Sequence, residues 1–234
     1  MGDSTRQKER RRELRNREPA HFCGECMSVV YGDDECCLEC GAEQPQGGWK
    51  ALDNGPDPWL GQVLGDRYLT TSRIGRGASG SVYRAESLSI SRQFAVKIID
   101  LTEREGQVDA KSLQERLNRE IAVLGTLRNP HIVSFYDAVR ISEDAVALVM
   151  DLINGSTLES LITEQGAFDV QRAAKVTRQI ANGLHEAHES DMIHRDLKPE
   201  NIMIEKGTTV KLVDFGIAKV WSGEDPMSTV MAGN

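Results

Sequence analysis

The chain has 234 residues, a length that suits one or two domains, with 39% hydrophobic and 27% charged side chains and a net charge of −8. That mixture excludes a disordered polyelectrolyte and a membrane protein: the longest apolar run, residues 145–150, falls far short of the about 20 residues that cross a bilayer. The N-terminus carries no apolar signal core, so a cytoplasmic location is expected. Residues 6–17 hold seven basic and two acidic side chains, which leaves −13 for the remainder and argues against a general nucleic-acid coat. With Leu14 alone to bury and Glu9 and Glu13 spaced i, i+4 among arginines, residues 1–20 read as a solvated arm, disordered or helical.

All five cysteines follow within residues 23–40. Cys23-Gly-Glu-Cys26 and Cys37-Leu-Glu-Cys40 are two Cys-x-x-Cys halves, each able to converge two sulfurs, and together they offer the four thiolates of tetrahedral Zn²⁺. Gly41 lets backbone amides turn towards the second pair. Cys36 competes with Cys37 for the fourth position, although Cys37 alone keeps the x-x spacing to Cys40; His21 is a substitute ligand, with a solvated imidazole the simpler reading. Residues 21–44 resemble a zinc ribbon, a module too small to fold on apolar burial alone. Residues 45–62, with three of the seven prolines between 44 and 58, read as a linker.

From Tyr68 the pattern becomes strand-like. Ile74-Gly75-Arg76-Gly77-Ala78-Ser79-Gly80 is followed by Ser81-Val82-Tyr83-Arg84-Ala85, a second strand and not the helix that a dinucleotide-binding turn requires. Such a glycine hairpin can present N–H groups to a triphosphate, with Val82 over the base. Phe94-Ala95-Val96-Lys97-Ile98-Ile99 is an apolar strand carrying one lysine. Leu113, Leu117, Ile121, Leu124 and Leu127 then mark a helix ending at Asn129-Pro130, with Glu120 beside the apolar stripe. A further helix is expected from about Asp169, and on it His185 and His188 read as surface residues, while His131 reads as a turn residue. His194-Arg195-Asp196-Leu197-Lys198-Pro199-Glu200-Asn201, and later Asp214-Phe215-Gly216, complete the set.

In this order the motifs resemble the eukaryotic-type protein kinase catalytic domain, in its bacterial Ser/Thr form, over residues 63–234. The resemblance implies an α+β, two-lobe fold with a five-stranded antiparallel small lobe and a helical large lobe behind the zinc ribbon, and a signalling kinase that transfers phosphate from ATP to Ser or Thr hydroxyls of protein substrates. It implies Lys97 on the α- and β-phosphates and paired to Glu120, Asp196 as acceptor of the hydroxyl proton, and Lys198 on the γ-phosphate. Asn201 and Asp214 would hold Mg²⁺ or Mn²⁺, and Ile74, Gly75, Gly77, Gly80, Val82, Ala95, Met150, Asp151, Ile153 and Met203 would surround the nucleotide. Met150 takes the gatekeeper position and residues 151–153 the hinge. Leu124, Phe135, His194 and Phe215 match the stacked apolar positions, so His194 is expected to pack and not to exchange protons. Arg195 is expected to pair with a phosphate at Ser228 or Thr229, placed by autophosphorylation. The chain closes on Gly233-Asn234 inside the activation segment, so it is expected to be a fragment of a longer product, with apolar surface left uncovered and any membrane anchor lying further on. Two other readings stay open: a non-catalytic ATP-binding or interaction module, and a zinc-ribbon regulator, the latter disfavoured by the acidic balance.

Overall fold

The computed structural model describes residues 21–31, 34–52, 57–77, 80–100, 119–142 and 145–215. The basic arm, the first part of the helix carrying Leu113 and Leu117, and the activation segment with Gly216, Ser228 and Thr229 lie outside the described residues. The chain divides into two compact units, residues 1–99 with 139–149, and residues 100–138 with 150–234.

The first unit opens with a small antiparallel sheet, β1 (His21–Phe22) between β2 (Val29–Val30) and β3 (Lys50–Ala51). Its two faces bury separate clusters: Phe22, Val29, Tyr31 and Leu60 on one, and Cys23, Val30, Cys37 and Trp49 on the other. The Trp49 indole donates to the Asp34 carbonyl at 2.7 Å. Residues 49–51, within the stretch expected as a linker, therefore close the ribbon, whose sheet runs past residue 44.

The main sheet has the order β4-β5-β6-β7-β9-β8, from β4 (Val63–Leu64), β5 (Tyr68–Gly77), β6 (Gly80–Ser87), β7 (Gln93–Asp100), β8 (Phe135–Ser142) and β9 (Ala145–Asp151), the last two running on into the second unit. It has six strands where five were expected, because the two-residue β4 pairs with the start of β5. Period-two alternation sorts its faces. Tyr83 pairs with Val96 and Ala85 with Phe94, all in the buried core with Ile98, Ala147 and Val149. Val82 pairs with Lys97 and Arg84 with Ala95, which puts Val82, Ala95 and Lys97 on the opposite face.

The outer edge of β5 is covered from Tyr68 to Arg73, which removes there the unpaired strand edge that invites association. β4 covers Tyr68 and Leu69. The Thr70 hydroxyl donates to the Trp59 carbonyl and accepts from the Gln62 amide at 3.1 Å. Ser28 then bridges Ser72, and the Arg73 amide donates to the Met27 carbonyl at 3.3 Å. Asp57, with its side chain 3% exposed, accepts from the Tyr83 hydroxyl at 2.7 Å, the Arg73 guanidinium at 2.9 Å and the Trp59 amide at 3.1 Å. Residues 57–62 are thus a strap across the sheet. Burial, with Asp57 adding to it, pushes the Tyr83 hydroxyl far above its ordinary pKa, so it stays a donor.

In the second unit, helical residues 119–124 precede a three-stranded antiparallel sheet of β10 (Gly155–Thr157), β11 (Ile202–Glu205) and β12 (Thr209–Leu212), with helices α1 (Leu158–Gln165) and α2 (Val170–Glu189). Thr157 and Asp169 cap the two helices by accepting from the Ser160 and Arg172 amides. Gly183 lets α2 approach β12, since a Cβ there would meet the Leu212 side chain and the His131 carbonyl. Buried Gln179 fastens the same contact, donating to Thr208 and accepting from the Val210 amide, both at 3.0 Å. His131 also serves structure: its carbonyl accepts from the Leu212 amide at 2.8 Å. His185 and His188 are exposed on α2. Apolar side chains remain open to solvent, with Val170 85% and Leu197 46% exposed, and α1 buries none of its residues.

Candidate active site

Among the described residues, three constellations carry chemistry, and each lies within one unit.

The first is the glycine hairpin. Gly75 pairs with Val82 and Gly77 with Gly80, so residues 77 and 80 close the turn between β5 and β6; Ala78 and Ser79 lie outside the described residues. Gly80 has φ 124°, and a Cβ on it would run into the Ile98 carbonyl oxygen of β7. Only glycine satisfies both demands. Gly80→Ala is expected to cost about 3 kcal/mol of stability through strain and overpacking, read as a lower midpoint in urea unfolding. Ile74 is 45% exposed, whereas Ala95 and Lys97 are buried, at 7% and 6%.

The second is the loop at residues 194–201, which the β11–β12 hairpin holds between its ends. β11 starts immediately after Asn201 and β12 ends two residues before Asp214, while the Val213 amide donates to the Asn201 carbonyl at 3.0 Å. The Asn201 amide nitrogen donates to both the Asp196 carbonyl, at 2.8 Å, and its Oδ2, at 2.9 Å. Lys198 Nζ reaches the same Oδ2 at 3.2 Å, and this contact raises the lysine pKa. The Asp196 carboxylate is therefore held by two donors while its side chain stays 24% exposed. With its amide so engaged, Asn201 keeps a side-chain carbonyl oxygen for a hard cation, and the Asp214 carboxylate supplies the matching donor type. Arg195 and Asp214 both adopt left-handed backbone, φ 59° and 58°, a conformation that costs non-glycine residues energy and clusters at functional sites.

His194 Nε2 lies 3.0 Å from the Val213 carbonyl, which can only accept, so Nε2 carries the proton. Burial holds its pKa below the usual imidazole value, and its ring packs on Phe215 at 4.6 Å between centroids. Leu124 is buried and Phe135 half-buried in the same unit. Met150, Asp151, Ile153 and Met203 are half-buried; the Asp151 amide donates to the Ser134 carbonyl at 3.0 Å and its carboxylate accepts from Tyr136 at 2.9 Å. Glu120 accepts twice from Arg195 Nη1, at 2.7 and 2.9 Å, with both side chains less than one-fifth exposed. That pair was not foreseen in the sequence, because 75 residues separate the two.

The third is the cysteine cluster. Cys23, Cys26, Cys37 and Cys40 place their sulfurs within 4.8 Å of one another. Across the knuckles, Cys23 and Cys40 stand at 3.7 Å and Cys26 and Cys37 at 3.6 Å. Those separations exceed the about 2.05 Å of a disulfide and match the edge, about 3.8 Å, of a tetrahedron with metal–sulfur bonds of about 2.3 Å. The knuckles repeat each other: the Met27 and Gly41 amides donate to Cys23 and Cys37, and the Cys23 and Cys37 amides donate to Ser28 and Ala42. Met27 takes the left-handed backbone, φ 55°, that Gly41 takes at 76°. Cys36 is exposed and outside the cluster, and His21 sits on β1, also outside it. Burial pushes the Cys37 thiol up to about 12 and also raises Cys26, while the Ala42 amide lowers Cys40. Buried thiols of this kind ionise when a cation replaces their protons.

A profile of the protein kinase domain matches residues 68–233, and the chain belongs to that family. Among its relatives, the serine/threonine-protein kinase PrkC of Bacillus subtilis is 33% identical over 163 residues, covering 70% of this chain and 24% of PrkC. A probable serine/threonine-protein kinase of Clostridium perfringens is 34% identical, covering 68% of this chain and 23% of that protein. PknL of Mycobacterium tuberculosis is 32% identical over 173 residues, covering 74% and 42%. The chain thus spans between about a quarter and two-fifths of the length of these relatives. The crystal structure of Rad53 1-466 in complex with AMP-PNP superposes with a TM-score of 0.55 and 30% identity, over 62% of this chain and 37% of that one. No helix among the described residues is long and apolar enough to cross a membrane.

Proposed function

We propose that this chain carries the catalytic core of a protein kinase that phosphorylates Ser or Thr hydroxyls on proteins, using ATP and Mg²⁺ or Mn²⁺. The observation that supports it most is the shared grip of Asn201 and Lys198 on Oδ2 of Asp196. Phosphoryl transfer depends on positioning and charge neutralisation, and this loop does both with fixed side chains. Asp196 orients the acceptor hydroxyl and takes its proton. Lys198 neutralises charge on the transferred group. Asn201 and Asp214 would hold the divalent cation, whose charge would offset that of the phosphates. Lys97 and the amides of Gly75, Gly77 and Gly80 hold the phosphates; Ile74, Val82, Ala95, Met150, Ile153 and Met203 enclose the base, with the backbone of residues 151–153 pairing with it. Lys198 two positions after the catalytic aspartate is the family's Ser/Thr signature.

Glu120 is the expected partner of Lys97, and Arg195 the expected partner of a phosphate at Ser228 or Thr229. In the second unit these two bind each other. Autophosphorylation of the activation segment would draw Arg195 away and release Glu120 to Lys97. The cysteine cluster takes structural Zn²⁺, with Cys23, Cys26, Cys37 and Cys40 as ligands.

The test is incubation of the purified protein with γ-labelled ATP and Mg²⁺, followed by phosphoamino-acid analysis. Label on Ser or Thr is expected, with Ser228 or Thr229 among the sites. Stable nucleotide binding with no transferred label would leave the chain an ATP-binding module instead.

A further inference from the structure

The metal ribbon and the glycine hairpin touch at positions that join their functions. The first knuckle reaches β5 through backbone: Ser28 bridges Ser72, and Met27 accepts from the Arg73 amide. Ser28 is 3% exposed and its hydroxyl accepts from the Cys26 thiol at 3.3 Å, so the contact begins two residues from a ligand. The second knuckle reaches β6: Glu39, lying between Cys37 and Cys40, pairs with Arg84 at 2.6 Å. Ser72 and Arg73 immediately precede Ile74 and Gly75, and Arg84 lies two residues after Val82. The hairpin is thus gripped on both strands, each by a different knuckle.

We infer that the four-cysteine metal site is a positioning element for the nucleotide-binding hairpin, so that metal occupancy and nucleotide binding are thermodynamically coupled. This rests on the zinc and nucleotide readings above. Among the described residues, the two knuckles meet through the paired sulfurs and a small cluster formed by Cys23, Val30, Cys37 and Trp49, with Cys26 and Ala42 packed against it. A cation on the four sulfurs fixes the knuckles' separation, and with it the attachment points on β5 and β6. Without the cation, so small a module lacks the apolar burial to stay folded, and the β5 edge beside Gly75 loses its cover. The Glu39–Arg84 pair, with Glu39 exposed and Arg84 half-buried, contributes little alone; its part is to set the position of the second knuckle, while the backbone bridge at Ser28 carries the first. Linkage is reciprocal, so nucleotide on the hairpin must also retain the metal.

The whole chain, loaded with Zn²⁺, is stripped reversibly with a chelator and reloaded. Hydrogen exchange at residues 72–84 is expected to accelerate on stripping and recover on reloading, while residues 194–201 hold their protection. Affinity for a non-hydrolysable ATP analogue should fall about 5-fold or more, and the analogue should slow chelator-driven Zn²⁺ release by a similar factor. Glu39→Lys keeps all four ligands, so Zn²⁺ still binds with one equivalent per chain, but the analogue's effect on release should shrink. In turnover, stripping should raise KM for ATP with kcat less affected. Exchange at residues 72–84 and analogue affinity unchanged by stripping would overturn the inference, as would equal loss of protection at residues 194–201, which means global unfolding. Failure to bind Zn²⁺ at all would instead remove the zinc reading, and analogue binding absent in both forms would remove the nucleotide reading, leaving the exchange result to decide the positioning role.

Discussion

Asp196→Ala is expected to lower kcat for phosphoryl transfer by about 10²–10⁴-fold while leaving nucleotide affinity within about 2-fold, measured by labelled transfer and by analogue binding on the same preparation. The carboxylate is the group placed to take the hydroxyl proton, and its loss removes both that base and the orientation of the acceptor. The loop itself should survive. Its backbone is held by Asn201, whose amide also donates to the Asp196 carbonyl, by the Val213 amide on Asn201, and by buried His194 on the Val213 carbonyl, none of which needs the missing side chain. Lys198 is 47% exposed and resolvates when its partner goes. A drop in kcat with unchanged binding therefore reports chemistry. Equal labelling by the two proteins would refute the assignment of Asp196. A rise in KM alone, with kcat unchanged, would place Asp196 in binding.

The parts of the molecule that read well from sequence are those where local pattern and local structure coincide. The glycine hairpin, the Phe94–Ile99 strand and the helix from Asp169 appear as β5–β6, β7 and α2, because their signals, glycine spacing, β-branched runs and a capping Asp, lie within a few residues of the structure they specify. The Cys-x-x-Cys halves were visible for the same reason. What sequence did not show was long-range polar pairing. Glu120 finds Arg195 across 75 residues, and nothing near either one marks the other. Residues 45–62 looked like a linker on their prolines and glycines, yet Trp49 closes the ribbon and Asp57 anchors a strap. An acidic side chain beside two prolines is ordinary in a loop. Partners 16 and 26 residues away, the Arg73 guanidinium and the Tyr83 hydroxyl, make it structural.

Asp57 carries the second large effect. Asp57→Ala is expected to destabilise the first unit by about 3 kcal/mol, at the lower end for breaking a buried ion pair because the Arg73 side chain is 23% exposed and partly resolvates. Tyr83 cannot resolvate in that way: it is 1% exposed, and its hydroxyl would lose the Asp57 carboxylate that accepts from it. Removing that hydroxyl should therefore rescue part of the loss. Tyr83→Phe alone should cost about 1 kcal/mol, and Asp57→Ala with Tyr83→Phe less than the sum, since the second change deletes the group that the first left unpaired. Asp57→Asn, which keeps an acceptor for Tyr83 but drops the charge facing Arg73, should fall between wild type and Ala. Urea unfolding of the four variants against wild type measures the cycle. Strict additivity would mean the three groups do not act as a unit, and a cost below about 0.5 kcal/mol for Asp57→Ala would mean that residues 57–62 are held to β5 by the Thr70 contacts and β4 pairing alone.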